Sequence, residues 1–475
     1  MAEYRLVIDQ STSGTKVILF DTESNIEMLR RVDKPHTQLY PQKGWVEHDP
    51  EEIVANVKDL IGQILIERNL EPRQIASLSI TNQRESVVIW DKETGKAYTN
   101  VLVWQCNRGI DICQKLNQRG YGPVVREKTG LNIDPYFSGS KLKWFFDQAE
   151  LTDDQLNNLA IGTIDTWIVW NLSKEKNHLT EVSNASRTLL FNIHTLEWDE
   201  ALCDIFNVPI ASLPSVKDSV DDFGTYQGIP IVSIVADSQS ALIGNGCLEK
   251  EDVKATLGTG SSVLVNIGKQ VLDNNGTILT TIVSGKNGET TYALEGVIRS
   301  YGDILNWQKD QLGFFANFEE ASKNAFSVLD NGGVYLIPAL EGMGAPFWAP
   351  DVHAEFVGMS RYNSKSHLIR AGFEAMVYQT RIILDTIDEE FGLQIKRINV
   401  DGGLVNNEKF IQLLADVTGR EVVIGRIEEA SALGTLTLIK NDVASYTEKT
   451  FKPKTSYDGS YSTWKEYVLK SISKY

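Results

Sequence analysis

Residues 5–20 read RLVIDQSTSGTKVILF. Two apolar runs, Leu6-Val7-Ile8 and Val17-Ile18-Leu19-Phe20, flank a short turn of Ser, Thr and Gly. Apolar, β-branched runs broken by turn formers read as a β-hairpin. The turn carries Asp9, the hydroxyls of Ser11, Thr12 and Ser13, then Gly14 and the cation Lys16. Small residues let a turn aim several backbone N–H groups at one point, which makes a cup for an anion. Hydroxyls add donors and Lys16 adds charge. Asp9 would repel a phosphate, so it fits the cup only if a divalent cation or its waters lie between them. Taken alone, the same stretch also reads as an ordinary tight hairpin.

A second stretch shifts the balance. Residues 254–267, KATLGTGSSVLVNI, place Gly258, Thr259, Gly260, Ser261 and Ser262 between two β-type runs. One such hairpin opens each half of the chain. The pattern predicts two similar domains facing each other across a nucleotide, divided as residues 1–246 and 247–475. A length of 475 residues agrees with more than one domain.

Composition narrows the function classes. The formal net charge of −17 argues against nucleic acid or an anionic membrane as the main partner. It leaves room for an anionic substrate in a local basic site. No apolar run reaches membrane-spanning length, and the N-terminus enters a strand at once, so neither a span nor a signal peptide is expected. Cys106, Cys113, Cys203 and Cys247 lack CxxC spacing and read as free thiols of a reducing cytoplasm. No GxxxxGK[ST], HExxH or GxSxG is present.

Several stretches point to individual elements. Asp49-Pro50-Glu51-Glu52 reads as a helix start, followed by Ile53, Val57, Leu60, Ile61 and Ile64 at helical spacing. Residues 75–91, IASLSITNQRESVVIWD, read strand–turn–strand with Asn82, Gln83, Arg84 and Glu85 at the turn. IPIVSIVA (229–236) reads as a buried strand ending at Asp237. A strand's carboxyl end is a catalytic position in an α/β protein, although Asp237 also suits a helix N-cap. Residues 296–312 and 366–391 read as helices. VDGG at 400–403 reads as a turn that opens a helix, and the tail after about residue 445 as a terminal helix.

Together and in order, IDQSTSGTK, GWVEHDP, TNQRES, VWQCNRG, YFSGSKLKW, SNASRTLLFNIHTLEWD, ADSQSAL, LGTGSS, ALEG, GAPFW and VDGGLVNN resemble the FGGY family of carbohydrate kinases over nearly the whole chain. The likeness is greatest to its glycerol-phosphorylating branch. It implies an α/β fold of two actin-like, ribonuclease H-like domains, each a mixed five-stranded sheet with helices, around a nucleotide cleft. It implies ATP and Mg²⁺ as cofactors, a small polyol or sugar as acceptor, and a homodimer or homotetramer. Asp237 would be the general base. Arg84, Glu85, Trp104 and Tyr136 would bind the acceptor, with Ser238 and Ser262 beside it. Thr12, Ser13, Gly14, Lys16, Thr259 and Gly302 would serve the phosphates, and Asn306, Gly403 and Asn407 the nucleoside. Mg²⁺ would be tied to Asp9 and Asp237 through water.

The chain departs from the family at four positions. Ser11 replaces a usual Gly and Cys106 a usual Asp. Ser238 replaces a Gln, and Ser262 a Phe, that touch the polyol in glycerol kinases. The last two changes remove bulk, so an acceptor longer than glycerol (a tetritol, tetrulose, pentulose such as xylulose, or gluconate) is the alternative expectation. The loop before Asp237, DDFGTYQGIPIV, lacks the phosphorylatable His of some Gram-positive members. An actin-like or chaperone-type ATPase, or a ligand sensor without turnover, would not need the set Arg84, Glu85, Tyr136 and Asp237.

Overall fold

The computed structural model describes residues 3–425, 429–441 and 448–474. Two sheets share one plan. The first orders its strands Glu27–Pro35, Gly14–Asp21, Tyr4–Gln10, Ile75–Asn82 and Ile229–Ala236, with the short Thr225–Tyr226 at its edge. Its first three strands are antiparallel and the next two continue parallel. The second orders Glu289–Ile298, Ser261–Gly268, Val253–Leu257, Arg397–Asp401 and Glu421–Gly425 with the same directions, between the edge strands Leu279–Lys286 and Glu448–Phe451. Each sheet therefore contains the expected five-stranded mixed unit and extends it at its edges.

Both expected hairpins form. Gln10 pairs Thr15 across the first tip, and Leu257 pairs Ser261 across the second. Gly14 is required by packing: a Cβ there would lie 2.7 Å from the Lys34 carbonyl oxygen of the neighbouring strand. The helix Pro50–Glu67 starts as the sequence predicts, with the Asp49 carboxylate accepting from the N–H groups of Glu51 and Glu52. The long helix Lys365–Phe391 and the terminal helix Asp458–Ile472 also form, while residues 445–447 of the expected tail lie outside the described residues.

One reading is corrected. Residues 296–298 are not helical but complete the strand Glu289–Ile298, and the helix spans only Asp303–Asp310. Buried Ile298 and half-buried Val297 are paired in the sheet on Ser261 and Ser262, and pairing overrides the apparent helical run. The strand–turn–strand over 75–91 forms as expected, with Ile75–Asn82 and Val87–Asp91 in different sheets. The turn between them is buried, and Glu85 has a left-handed φ of 59°. A non-glycine residue in that region costs on the order of 1–3 kcal/mol and persists only where its surroundings fix it.

Two short helices tie the sheets together. In Asp237–Gly244, Leu242 and Ile243 cluster with Leu264, Val283 and Ala293 of the second sheet. In Ala430–Lys440, Ala432, Leu433 and Leu436 cluster with Val7, Ile18 and Phe20 of the first. The helices meet backbone to backbone: a Cβ on Gly434 would strike the Ser240 carbonyl, and one on Gly244 the Ala430 carbonyl. The Ser240 hydroxyl donates to the Ser431 carbonyl at 2.6 Å. The four cysteines are buried and unpaired. Among the described residues no helix is long and apolar enough to cross a membrane.

The helix contact gives a stability prediction. Gly434→Ala forces the two helices apart and is expected to cost about 1–3 kcal/mol, the usual scale of overpacking. A thermal melt of the variant beside the wild type checks it, with an exposed Gly459→Ala change as a control that does not lower the melt, since nothing lies within 4 Å of a Cβ there and Ala favours the helix.

Candidate active site

The first-hairpin turn is built from its own hydroxyls. Ser11 donates its N–H and its hydroxyl to the Gly14 carbonyl, at 2.9 and 3.0 Å. Thr12 accepts a hydrogen bond from the Trp104 indole N–H at 2.9 Å, so the turn is fastened to an aromatic ring. Ser13 is exposed at the tip. Lys16 faces Asp9 at 3.4 Å and Glu429 at 2.8 Å, and Glu429 immediately precedes the helix Ala430–Lys440. Burial works against the Lys16 charge, but the Asp9 and Glu429 carboxylates outweigh it and hold the ammonium above its usual range. Burial pushes the Asp9 carboxyl up to about 6, and the Lys16 charge only partly offsets that; Glu429 and Asp237 push it further.

A second group gathers at the end of the strand Ile75–Asn82. Asn82, Gln83, Arg84 and Glu85 are all buried, which makes this turn part of a site and not a solvated tip. Arg84 lies 3.6 Å from the Asp237 carboxylate and donates to the Tyr136 hydroxyl at 3.3 Å. The Tyr136 ring stands against Trp104 with centroids 5.2 Å apart. Asp237 is the first residue of its helix, while Ala236 is the N-cap. The capping alternative for Asp237 therefore does not hold, and its carboxylate remains about one-third exposed. It accepts from the Ser238 N–H at 2.6 Å. Arg84, Glu85, Trp104, Tyr136, Asp237 and Ser238 thus come together.

Two charged residues of this cluster were not singled out by sequence. Arg187 donates to Glu85 at 2.7 Å and lies 2.6 Å from Glu295. Glu295 accepts from Arg84 at 2.9 Å and from the Ser262 hydroxyl at 2.8 Å. Burial alone would raise the Glu295 carboxyl, but the Arg187 and Arg84 guanidiniums hold it down at about 2. Burial dominates at Glu85 and pushes its carboxyl up despite the same two cations. The stretches SNASRT and ALEG contain Arg187 and Glu295, but only the fold shows that they meet.

The residues expected at the nucleotide end are more scattered in role. Thr259 is exposed at the second hairpin tip, and its carbonyl accepts from the N–H groups of Tyr301 and Asp303. The Gly302 N–H donates to the Gly258 carbonyl, and a Cβ on Gly302 would lie 2.5 Å from that oxygen. Gly302 is thus needed for close packing, and its N–H is occupied. Asn306 is half-buried on the helix Asp303–Asp310. In the Gly-Gly turn, Gly402 is the constrained residue, with φ of 96° and 2.6 Å between a built Cβ and the Leu257 carbonyl oxygen. Gly403 opens onto free space. Asn407 caps the helix Glu408–Thr418 by accepting from the Phe410 N–H.

Residues 4–244 match the N-terminal domain of the FGGY family of carbohydrate kinases, and residues 253–439 match its C-terminal domain. Glycerol kinase 1 of Thermotoga maritima is 43% identical over 91% of this chain and 89% of its own length. The glycerol kinase of Shewanella sediminis is 40% identical over 99% of both chains. The crystal structure of Plasmodium falciparum glycerol kinase with ADP superposes with a TM-score of 0.90 at 30% identity, covering 99% of this chain and 98% of that one. A gluconate kinase from Lactobacillus acidophilus, at 20% identity and a TM-score of 0.88, shares the fold.

The raised Asp9 carboxyl sets a stability prediction. A carboxyl raised in the folded state binds more protons there than when unfolded, so ionised Asp9 destabilises the fold progressively as pH rises from about 4 to about 6 and beyond. Asp9→Asn is expected to melt about 2–4 °C higher than the wild type at pH 7.5. The gap closes by pH 4. Paired thermal melts at the two pH values check this.

Proposed function

The chain belongs to the FGGY family of carbohydrate kinases, and on that premise we propose that it transfers the γ-phosphoryl group of ATP to a terminal hydroxyl of glycerol. The observation that carries the reading is the meeting of Arg84, Glu85, Tyr136 and Asp237 beside the hairpin that holds Lys16. Relatives at 43% and 40% identity that are glycerol kinases support glycerol as the acceptor.

In this reading Asp237 accepts the proton of the attacking hydroxyl. Phosphoryl transfer needs positioning and charge stabilisation more than covalent chemistry, and a part-exposed carboxylate at a helix start suits that task. Arg84 donates, Glu85 accepts and Tyr136 does either, so a diol is satisfied on both hydroxyls. Trp104 packs on the carbon chain and, through its bond to Thr12, keeps the acceptor pocket in register with the phosphate turn. Thr12, Ser13, Gly14 and Lys16 serve the phosphates from one hairpin, and Thr259 with Gly302 shapes the other. Asn306, Gly403 and Asn407 border the nucleoside.

The residues present fit Mg²⁺. Burial is the main cause of the raised Asp9 carboxyl, and the nearby Asp237 and Glu429 carboxylates add to it, so carboxylates from separate elements converge beside the first turn and offer the hard oxygen ligands that Mg²⁺ takes. Among the described residues no group of three or more His, Cys, Asp or Glu side chains could hold a metal alone, so the ion would be shared with the nucleotide's phosphates. When bound it would neutralise charge on the transferring group, and Asp9 and Asp237 are the residues that would hold it. The four unpaired cysteines suit a reducing cytoplasm.

A second reading starts from Ser238 and Ser262. Here Ser262 is half-buried and its hydroxyl donates to Glu295, and the small side chains at these two positions are the ground for an acceptor longer than glycerol. ADP release with ATP and Mg²⁺ across glycerol, dihydroxyacetone, erythritol, threitol, erythrulose, ribulose, xylulose and gluconate separates the two. Glycerol is expected to turn over fastest. A clear optimum on a four- or five-carbon acceptor replaces it. Asp237→Asn is expected to lower kcat by roughly a hundredfold or more, the scale of lost general-base catalysis, with the KM for ATP little changed.

A further inference from the structure

Every side chain assigned above to the acceptor comes from the first half of the chain except Ser262. Yet two of these groups are held by ion pairs that reach across to the second half. Arg84 is held by Glu295, 211 residues away. Tyr136 is held less directly: its N–H donates to one Asp134 oxygen at 2.9 Å, and Arg299 donates to the other at 2.7 Å, 165 residues away. Glu295 and Arg299 lie four residues apart, at the end of the strand Glu289–Ile298 and just beyond it.

The same stretch continues into the second phosphate turn. A Cβ on Gly260 would touch the carbonyl oxygens of Ile298 and Arg299, at 3.2 and 3.3 Å. Tyr301 and Asp303 donate their N–H groups to Thr259, and Gly302 to Gly258. One continuous segment, residues 295–303, therefore grips the acceptor residues at one end and the hairpin tip 258–260 at the other.

We propose, building on the kinase reading above, that Glu295 and Arg299 are positioning residues of the acceptor pocket, clamping Arg84 and the Asp134–Tyr136 loop from the half that carries the second phosphate turn. Their chemistry differs. Glu295 is fully buried, bracketed by Arg84 and Arg187, and oriented by Ser262. With this anion on one side, the Arg84 guanidinium is held against the Tyr136 hydroxyl and 3.6 Å from the Asp237 carboxylate, the two groups that flank an acceptor hydroxyl in the kinase reading. Arg299 is one-quarter exposed and its bond to Asp134 fixes a loop. Without it the Tyr136 hydroxyl gains freedom that acceptor binding must remove, which raises the KM for the acceptor and leaves that for ATP alone. A role confined to stability would shift both constants, or neither.

The test is steady-state kinetics with the acceptor and ATP varied separately, on the wild type and four variants. Glu295→Gln removes the anion but keeps the shape, and is expected to raise the acceptor KM at least about tenfold with the ATP KM within about twofold. Arg299→Ala is expected to raise the acceptor KM severalfold, and Arg299→Lys to recover most of it. Ser262→Ala, which removes one donor to Glu295, moves the acceptor KM in the same direction by less. If Glu295→Gln does not fold, the Arg299 pair decides alone, because its site is partly exposed. An acceptor KM within about twofold of the wild type in the folded variants, or equal changes in both constants, overturns the assignment. A wild type that turns over none of the acceptors overturns the kinase reading itself and this one with it, whereas an active wild type with insensitive variants overturns this one only.

Discussion

Backbone meets backbone where the helix Asp237–Gly244 crosses Ala430–Lys440, and the rest of the site depends on that contact. Glycine at 244 and 434 lets the two helices approach until a carbonyl of one fills the space where a side chain of the other would stand. Interiors packed this closely respond to displacement by shifting whole elements. The two helices start at adjacent charges. Asp237 begins one, and Glu429 precedes the other and holds Lys16. The crossing thus fixes where a carboxylate from each half sits relative to Asp9 and the first hairpin turn.

The electrostatics follow from burial more than from any single pair. Arg84, Arg187, Glu85 and Glu295 are all buried, and charges in such places persist only when paired and hydrogen-bonded. Two cations meet two anions, while Asp237 adds a third anion at the exposed side. The cluster is therefore closed toward the core and left with negative charge toward the cleft. In the proposed reading, where Asp237 accepts a proton beside an incoming phosphate, that polarity needs cationic groups nearby, and Lys16 and Arg84 stand there.

Much of this was legible in the sequence because turns announce themselves locally. The hairpins at 10–14 and 257–261, the cap at Asp49 and the strand that ends at Asp237 follow from residue types within a few positions. The mixed sheets were legible through family likeness. What stayed hidden involves distance. Nothing near Glu295 in the chain shows that its partners are Arg84 and Arg187, and an apolar Val297-Ile298 pair followed by polar residues looks like a helix until its strand partners are known. Likewise the sequence marks a Gly-Gly pair, but only the approach of Leu257 shows that Gly402 is the one that must lack a side chain.

The helix Ala430–Lys440 has a consequence for how the chain is made. It covers Val7, Ile18 and Phe20, strands that leave the ribosome first, with a segment that leaves near the end. At elongation rates of about 5–20 residues per second, the first sheet is complete roughly 10–40 s before its covering helix is available. For that interval a nascent apolar face is open to solvent and to neighbouring chains. The order of synthesis thus runs opposite to the order of packing, since the first sheet waits for the last third of the chain to close it.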